Sequence, residues 1–102
     1  MFARVTTYEG PADRPDADEQ TQAGLISRVL QMEGCAGVIG MLDHQNGRVL
    51  TVTLWENEEA LRASEEAASQ VRADAAQAGG TAIADVERFE VTHFEMRPAV
   101  NA

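Results

Sequence analysis

A β-hairpin that runs into a helix decides the fold, and it occupies residues 37–61, GVIGMLDHQNGRVLTVTLWENEEAL. Asn46 and Gly47 form the strongest hairpin signal in a short sequence, because a type I′ turn needs positive φ at both of its central residues. They separate two β-rich stretches, residues 37–42 and 48–55, which we predict to be antiparallel strands. Asn57, just behind the second strand, is a good N-cap for the helix that follows.

One strand and one helix are predicted before the hairpin. Residues 2–8 are rich in Val, Thr and aromatic side chains and are soon followed by a Gly-Pro pair, which is typical of a short strand. Residues 9–18 contain glycine and proline and predict a loop. The helix behind this loop is predicted to end at Gly34, with Asp13 or Asp16 as the cap of its first turn.

Downstream of the hairpin, the sequence predicts a second helix and a fourth strand. The helix is rich in alanine and extends from the Asn57 cap to Gly79 and Gly80. Residues 81–96 predict a long final strand whose apolar side chains do not share one face, so we expect a bulge or burial on both sides. A single domain would then cover residues 1–97, and residues 98–102 would form a flexible tail.

The order of these elements, β-α-β-β-α-β, predicts an α+β protomer with a ferredoxin-like fold. Two right-handed crossovers would place both helices on one face of an antiparallel sheet. The third strand nevertheless has apolar residues on both faces, with Leu50, Val52 and Leu54 on one and Val49 and Trp55 on the other. The sheet therefore needs a second cover, and the simplest is the same sheet of another copy in a twofold homodimer.

The composition excludes several classes of partner and site. The net charge is −9 at pH 7, whereas nucleic acids and anionic membranes are bound by basic patches, so we expect neither as a partner. The one cysteine excludes an internal disulfide and a multi-cysteine metal site. No stretch approaches the roughly 18 apolar residues of a membrane helix, and residues 1–8 lack a signal-peptide core, so we expect a cytoplasmic protein.

Three segments resemble the antibiotic biosynthesis monooxygenase (ABM) superfamily: residues 32–37, MEGCAG, the pair Gly47-Arg48, and residues 53–61, TLWENEEAL. That family shows P-G-x-x-G before strand two and W-E-(S/N)-x-E-A-(L/F) where strand three enters helix two. Glu33 stands here where the family has proline. The resemblance covers residues 1–96 and implies a ferredoxin-like protomer that pairs into a dimeric α+β barrel.

The resemblance also implies a function, that of a cofactor-independent monooxygenase acting on an aromatic or quinol-type small molecule. The alternative is a non-catalytic dimer of the same fold, which binds a small ligand or has a structural role. Other family members degrade haem and use an Asn on strand one and a Trp and a His on helix two. Those positions hold Thr6, Ser64 and either Arg72 or Ala73 here, so we do not expect haem degradation. We also expect that the protein uses no cofactor.

Arg4, Thr6 and Tyr8 share one face of the first strand, and the resemblance places that face in the ligand cleft between sheet and helices. Arg4 could pair with a substrate oxyanion, and Tyr8 could hydrogen-bond a phenol or quinone oxygen, which makes Tyr8 a candidate catalytic residue. Alternatively, Arg4 lies at a sheet edge and pairs with an acidic residue. Trp55 is expected in the core below the start of the second helix or in the wall of the ligand pocket.

The histidines and the cysteine are the other candidates for chemistry. His93, on the predicted fourth strand, could be a catalytic base toward a phenolic proton, because histidine side chains titrate near neutral pH. The alternative for His93 is a surface or interface position, and His44 in the hairpin is expected in solvent. The two histidines lack the spacing of metal ligands, so we expect no metal. Cys35 follows the end of the first helix and is expected to be buried and inert.

Overall fold

The computed structural model describes residues 1–12 and 18–98. The elements along the chain are β1 (Phe2–Glu9), α1 (Glu19–Leu30), β2 (Cys35–Asp43), β3 (Arg48–Trp55), α2 (Glu58–Ala63), α3 (Glu65–Gly79) and β4 (Ala82–Glu90). Asp13 and Asp16, the two expected caps, and residues 99–102 of the predicted tail lie outside the described residues.

The four strands form one antiparallel sheet in the order β2-β3-β1-β4. Helix α1 packs against β2, the short α2 lies over β1 and β3, and α3 contacts α1 and β4. This arrangement confirms the predicted ferredoxin-like α+β fold. Among the described residues, no helix is both long enough and apolar enough to cross a lipid bilayer.

The first helix is shorter than predicted at both ends. Asp18 is its N-cap, because the Asp18 carboxylate accepts the backbone N–H of Thr21 at 2.8 Å and thereby satisfies a free amide of the first turn. At the other end the helix stops at Leu30 and is capped by Gln31. Gly34, the predicted end, instead has φ +81° in the turn before β2, a conformation that suits glycine.

The predicted second helix is interrupted at Ser64, which separates α2 from α3. The Ser64 hydroxyl donates a hydrogen bond of 2.8 Å to the carbonyl of Leu61, and a serine that bonds back to its own helix disturbs regular helix geometry. The Asn57 cap is confirmed, since its side chain accepts the backbone N–H of Ala60 at 2.8 Å.

The hairpin of β2 and β3 is confirmed, but its loop is longer than predicted. Asp43 pairs with Arg48, so four residues, 44–47, form the connection instead of a two-residue type I′ turn. The Asp43 carboxylate accepts the backbone N–H groups of Gln45 at 3.1 Å and Asn46 at 3.2 Å, which stabilises the wider loop. Gly47 retains the positive φ of the prediction, at +67°.

Strand β4 ends at Glu90, well before the predicted end at residue 96. Phe2 at the start of β1 pairs with Glu90, and the N–H of Val91 donates to the carbonyl of Met1 at 2.9 Å. Phe2 is the first residue of β1, so the ladder between β1 and β4 ends at its partner Glu90. His93 is therefore not on a strand, which corrects the prediction. The expected bulge is confirmed where the β1–β4 register shifts between Thr7 and Tyr8.

The sheet face opposite the helices is partly apolar, and no helix of the described residues covers it. The strand register brings Val5, Val52 and Ile39 together on this face and places Met41 and Phe89 beside them. Ile39 is 41% exposed, Met41 46% and Phe89 49%. We call these five residues the helix-free face.

Candidate functional site

A cavity of about 440 Å³ lies between the sheet and helices α1 and α3. Its sheet side includes Arg4, Thr6 and Tyr8, which are alternate residues of β1 and therefore point the same way. Trp55 at the end of β3 also lines it. The structure thus brings all four sequence-predicted pocket residues into the wall of one cavity.

The helix side of the cavity is mainly apolar. Leu25 and Val29 of α1 and Ala68 and Val71 of α3 line it, and Arg72 of α3 adds a charge. A concave apolar site with a few polar groups is the usual form of a small-molecule pocket, and a volume of this size accommodates a ring system.

Arg4 is almost completely buried, with 2% of its side chain exposed. Its Nη2 donates to the carbonyl of Leu61 at 2.8 Å, to Oγ of Ser64 at 3.1 Å and to Oε1 of Glu65 at 2.8 Å. Its guanidinium carbon lies 5.4 Å from the centre of the Trp55 ring, within the range of a cation–π contact. The acidic partner expected for Arg4 is thus present, but the expected sheet edge is wrong because β1 lies inside the sheet.

Glu65 joins two arginines at the start of α3. One of its oxygens accepts from Nε of Arg88 at 2.6 Å and the other from Nη2 of Arg88 at 2.7 Å, in addition to the bond from Arg4. The pKa of Glu65 falls from 4.5 to about 2, mainly because of the hydrogen bonds from Arg88. The hydrogen bond from Arg4 and the positive charges of both arginines lower it further, against the opposing effect of burial. Glu65 is therefore a carboxylate at every physiological pH.

Three buried N–H-bearing atoms at the cavity have no partner among the residues that the structure describes. They are Nε and Nη1 of Arg4 and Nη1 of Arg72. Burial first, and then the positive charge of Arg4, lower the pKa of Arg72. Arg72 was expected only as one of two residues at the haem-histidine position, and its place in the cavity wall was not predicted. In the sequence, a cavity position for Arg72 is indicated by its place next to Val71, on the buried side of an alanine-rich helix.

Tyr8 is buried in the cavity wall. Burial raises the pKa of its hydroxyl above the usual value, and the positive charge of Arg72 opposes part of that shift. Tyr8 therefore stays protonated at neutral pH, so its hydroxyl can donate a hydrogen bond to a ligand oxygen.

Trp55 is fully buried, and its Nε1 donates to Oγ1 of Thr53 at 2.9 Å. The ring belongs to the core, as expected, and also lines the cavity, while its contact with a ligand stays a prediction. Its indole N–H is already bonded to a protein oxygen, so the ring offers a ligand its face and edge rather than a donor.

The structure does not bring His93 to the cavity. Its side chain is 78% exposed and lies 3.2 Å from a carboxylate oxygen of Glu95. His44 is also exposed, in the hairpin loop. Cys35 is half-buried rather than fully buried, and its Sγ lies 3.7 Å from the carbonyl of Gly37.

The residues at the three positions that haem-degrading family members use make other contacts in this chain. Thr6 and Arg72 line the cavity, and Ser64 accepts a hydrogen bond from Arg4. The absence of haem binding stays a prediction. Within residues 1–12 and 18–98, no group of three His, Cys, Asp or Glu side chains could hold a metal ion.

Comparison with curated proteins finds relatives in Mycobacterium tuberculosis. The uncharacterized protein Rv2557 is 31% identical over 104 residues, which cover 100% of this chain and 46% of that protein. The uncharacterized protein Rv2558 is 35% identical over 77 residues, which cover 74% of this chain and 33% of that protein. This chain therefore spans less than half the length of these relatives.

Three solved structures share the fold at low sequence identity. Rv0793 of Mycobacterium tuberculosis has a TM-score of 0.63 at 15% identity, covering 93% of this chain and 98% of that one. SnoaB, a cofactor-independent oxygenase of Streptomyces nogalater, has 0.62 at 10%, covering 91% and 92%. The monooxygenase ActVA-Orf6 of Streptomyces coelicolor, in complex with Nanaomycin D, has 0.54 at 19%, covering 96% and 92%.

The sequence model of a family described as antibiotic biosynthesis monooxygenase matches residues 1–78 of the chain. That match covers more than half of the 102 residues and includes all three segments on which the resemblance was stated, residues 32–37, 47–48 and 53–61. The protein belongs to the antibiotic biosynthesis monooxygenase family.

Proposed function

We propose that the protein is a cofactor-independent monooxygenase that oxidises an aromatic or quinol-type small molecule in the cavity between the sheet and the helices. The observation that carries the proposal is the cavity itself, whose apolar helix wall faces the polar row of Arg4, Thr6 and Tyr8. Membership of the family supports it, and so does the likeness in fold to SnoaB and ActVA-Orf6, which are described as oxygenases.

In the proposed reaction, the substrate itself supplies the electrons. A ring CH₂ carbon activated by a neighbouring phenol becomes C=O. One atom of O₂ enters this carbonyl group, and the other leaves as water with the two hydrogens of the carbon. The reaction begins when the substrate loses a proton, because the anion gives an electron to O₂ more readily than the neutral form does.

The residues of the cavity would favour that anion. Arg4 and Arg72 carry positive charge into a mainly apolar space, where charge stabilises an oxyanion more strongly than it does in water. Tyr8, kept protonated by burial, would donate a hydrogen bond to the same or a neighbouring oxygen. The apolar side chains of α1 and α3 would exclude water from the reactive intermediate.

We further propose that the working form is a homodimer joined through the helix-free face. Ile39, Met41 and Phe89 would leave water when the same face of a second copy packs on them. Homodimers joined by such apolar faces bury on the order of 2,000 Å² or more in total.

One observation favours a second candidate, a non-catalytic dimer that binds a small ligand. Among the described residues that line the cavity, none is a histidine or a carboxylate, so the wall offers no evident acceptor for the substrate proton. In the catalytic alternative, the proton must pass to water at the mouth of the cavity.

Oxygen uptake separates the two candidates. The protein is mixed with a panel of hydroxylated naphthalenes and anthracenes under isotopically labelled O₂, beside a protein-free control for autoxidation. We expect uptake above the control, with one labelled atom in the product and the other in water. Binding without added uptake across the panel would favour the non-catalytic candidate.

The matched variants are Tyr8→Phe, inside the cavity, and Thr7→Val, on the other face of the same strand. We expect Tyr8→Phe to lower the rate while Thr7→Val leaves it unchanged. Equal rates in both variants would contradict the proposed site.

A further inference from the structure

We propose that the cavity recognises its ligand through a carboxylate held between Arg4 and Arg72, so that the ligand is an aromatic acid rather than a neutral aromatic molecule. This inference rests on the proposed function, because it names the ligand class of the same cavity. It is carried by the unpaired guanidinium donors at one end of the cavity and by the balance of charge around them.

The hydrogen bonds of Arg4 are distributed unevenly. Its Nη2 serves three acceptors, Leu61, Ser64 and Glu65, whereas Nε and Nη1 are buried and have no partner among the described residues. A guanidinium has five N–H donors and no acceptor, so these two nitrogens need an acceptor that the described residues do not supply, and a bound ligand can provide it. A buried charged donor left without a partner destabilises the folded state.

Arg72, on the helix side of the cavity, also has a buried nitrogen without a hydrogen-bond partner among the described residues. It lies on α3, whereas Arg4 lies on β1, and both line the cavity. The Nη1 of Arg72 is buried and, among the described residues, unpaired, as is the Nη1 of Arg4. The two guanidiniums are close enough for the charge of Arg4 to lower the pKa of Arg72. An acceptor with two oxygens could serve both sides.

The charge balance identifies that acceptor as an anion. Both oxygens of Glu65 are already bonded to Arg88, and Arg4 and Arg72 are the only charged residues among the described ones that line the cavity. The described wall of the cavity therefore carries positive charge and no carboxylate, within a protein whose net charge is −9. Buried charge is tolerated when it is paired, and carboxylate oxygens match guanidinium donors in geometry and charge.

The rest of the cavity defines the body of the ligand. Beyond the arginines, the walls are formed by apolar side chains such as Leu25, Val29 and Val71 and by the buried ring of Trp55. A flat ring system would cover these walls, while its acid group reaches Arg4 and Arg72. A large polar body, such as a sugar or a peptide, would leave its own hydrogen-bonding groups unsatisfied there.

Isothermal titration calorimetry with naphthoate and its uncharged analogue naphthamide at neutral pH tests the inference. We expect naphthoate to bind at least about tenfold more tightly, the scale of one charged hydrogen bond. Trp55 is the only tryptophan of the chain, so its indole N–H gives one signal in a heteronuclear NMR spectrum, and we expect naphthoate to shift it.

The variants are Arg72→Gln and Arg4→Met, with Arg28→Gln as the control. Arg28 is exposed on α1, pairs with Asp74 at 2.8 Å and is absent from the cavity wall. We expect Arg72→Gln and Arg4→Met to weaken naphthoate binding roughly 10- to 100-fold and to leave naphthamide unchanged, whereas Arg28→Gln changes neither. Circular dichroism checks folding, and Arg72→Gln carries the test if Arg4→Met does not fold.

The inference would be overturned by equal affinity for naphthoate and naphthamide, or by a preference for naphthoate that survives in Arg72→Gln. Failure of both compounds to bind would overturn it as well. None of these results removes the proposed oxidation of phenols and quinols, because that function is tested by oxygen uptake with substrates that carry no carboxylate. The two proposals can therefore fail separately.

Discussion

Glu65 links a residue of the cavity wall, Arg4, to the stability of the fold. Its carboxylate bonds to the buried Arg4 of the central strand and to Arg88 of β4, so loss of its charge weakens both contacts at once. The folded-state pKa of Glu65, about 2, lies below its ordinary value of 4.5. A carboxyl group of this kind stabilises the folded state above its unfolded pKa, and the contribution is lost as pH falls toward the folded value.

We therefore predict that the wild-type protein loses more stability than Glu65→Gln as pH falls from about 4.5 to about 2. Urea denaturation at several pH values across this interval measures the difference. Glu66→Gln, which changes the neighbouring residue on the same helix, is the control and should follow the wild type. Parallel curves for wild type and Glu65→Gln would contradict the role given to Glu65.

Tyr8 is predicted to act as a hydrogen-bond donor and not as a base. Because burial raises the pKa of its hydroxyl, the group remains protonated across the neutral range. Tyr8→Phe should therefore lower the affinity for a ligand oxygen by about 0.5–1.5 kcal/mol, the value of a neutral hydrogen bond, without changing the pH dependence of binding between pH 6 and pH 8. Titration calorimetry of a bound naphthol at several pH values measures both, and a changed pH dependence would show that Tyr8 titrates there.

The site could be predicted from the sequence only in part. Alternation along β1 is enough to place Arg4, Thr6 and Tyr8 on one face, because side chains of a strand alternate regardless of what surrounds them. Arg72 and Glu65 could not be assigned in the same way. The sequence places Arg72 next to the buried Val71, but the contacts of Arg72 and Glu65 depend on how α3 lies across the sheet, which no local pattern of residues specifies.

Local sequence patterns predicted the presence of each strand and helix more accurately than the residues at which they end. The hairpin was evident from Asn46 and Gly47, but its loop is wider because the Asp43 carboxylate accepts two loop amides. The end of β4 at Glu90 depends on where β1 begins, since Phe2 is its partner. Such limits are set by pairing between distant segments and are invisible in the sequence of β4 alone.

The turn between α1 and β2 depends on Gly34, and we predict a large cost for Gly34→Ala. Gly34 has φ +81°, and a Cβ at this position would overlap the Cβ of Ala60 in α2. The strained backbone alone costs on the order of 1–3 kcal/mol, and the overlap adds to it. Urea denaturation should show destabilisation of at least this size.

Gly24→Ala is the matched control for that substitution. Gly24 lies inside α1, and beyond the backbone of its own helix a Cβ there would meet no atom within 4 Å. The same change should therefore stabilise the protein by about 0.5–1 kcal/mol. Opposite signs for the two variants are expected. Equal effects would mean that neither the positive φ nor the contact with Ala60 constrains the turn.

On the scale of the whole molecule, the two faces of the sheet have different tasks. One face and the helices enclose the cavity, with positive charge inside a molecule whose net charge is −9. The other, the helix-free face, carries apolar side chains that no helix of the described chain covers. The cavity lies between the sheet and the helices, on the other side of the sheet from this face, so dimerisation and ligand binding can be tested independently.

We predict that Phe89→Glu and Ile39→Glu each shift the proposed dimer toward monomer, because each places a carboxylate in an apolar interface. Light scattering over a range of protein concentrations measures the shift, and we expect the dissociation constant to rise at least roughly tenfold. Leu30→Glu is the control, since Leu30 is 50% exposed on α1, in the helix layer, and should leave the dimer intact. A wild-type protein that remains monomeric at micromolar concentration would refute the proposed dimer, and the helix-free face would then need another cover.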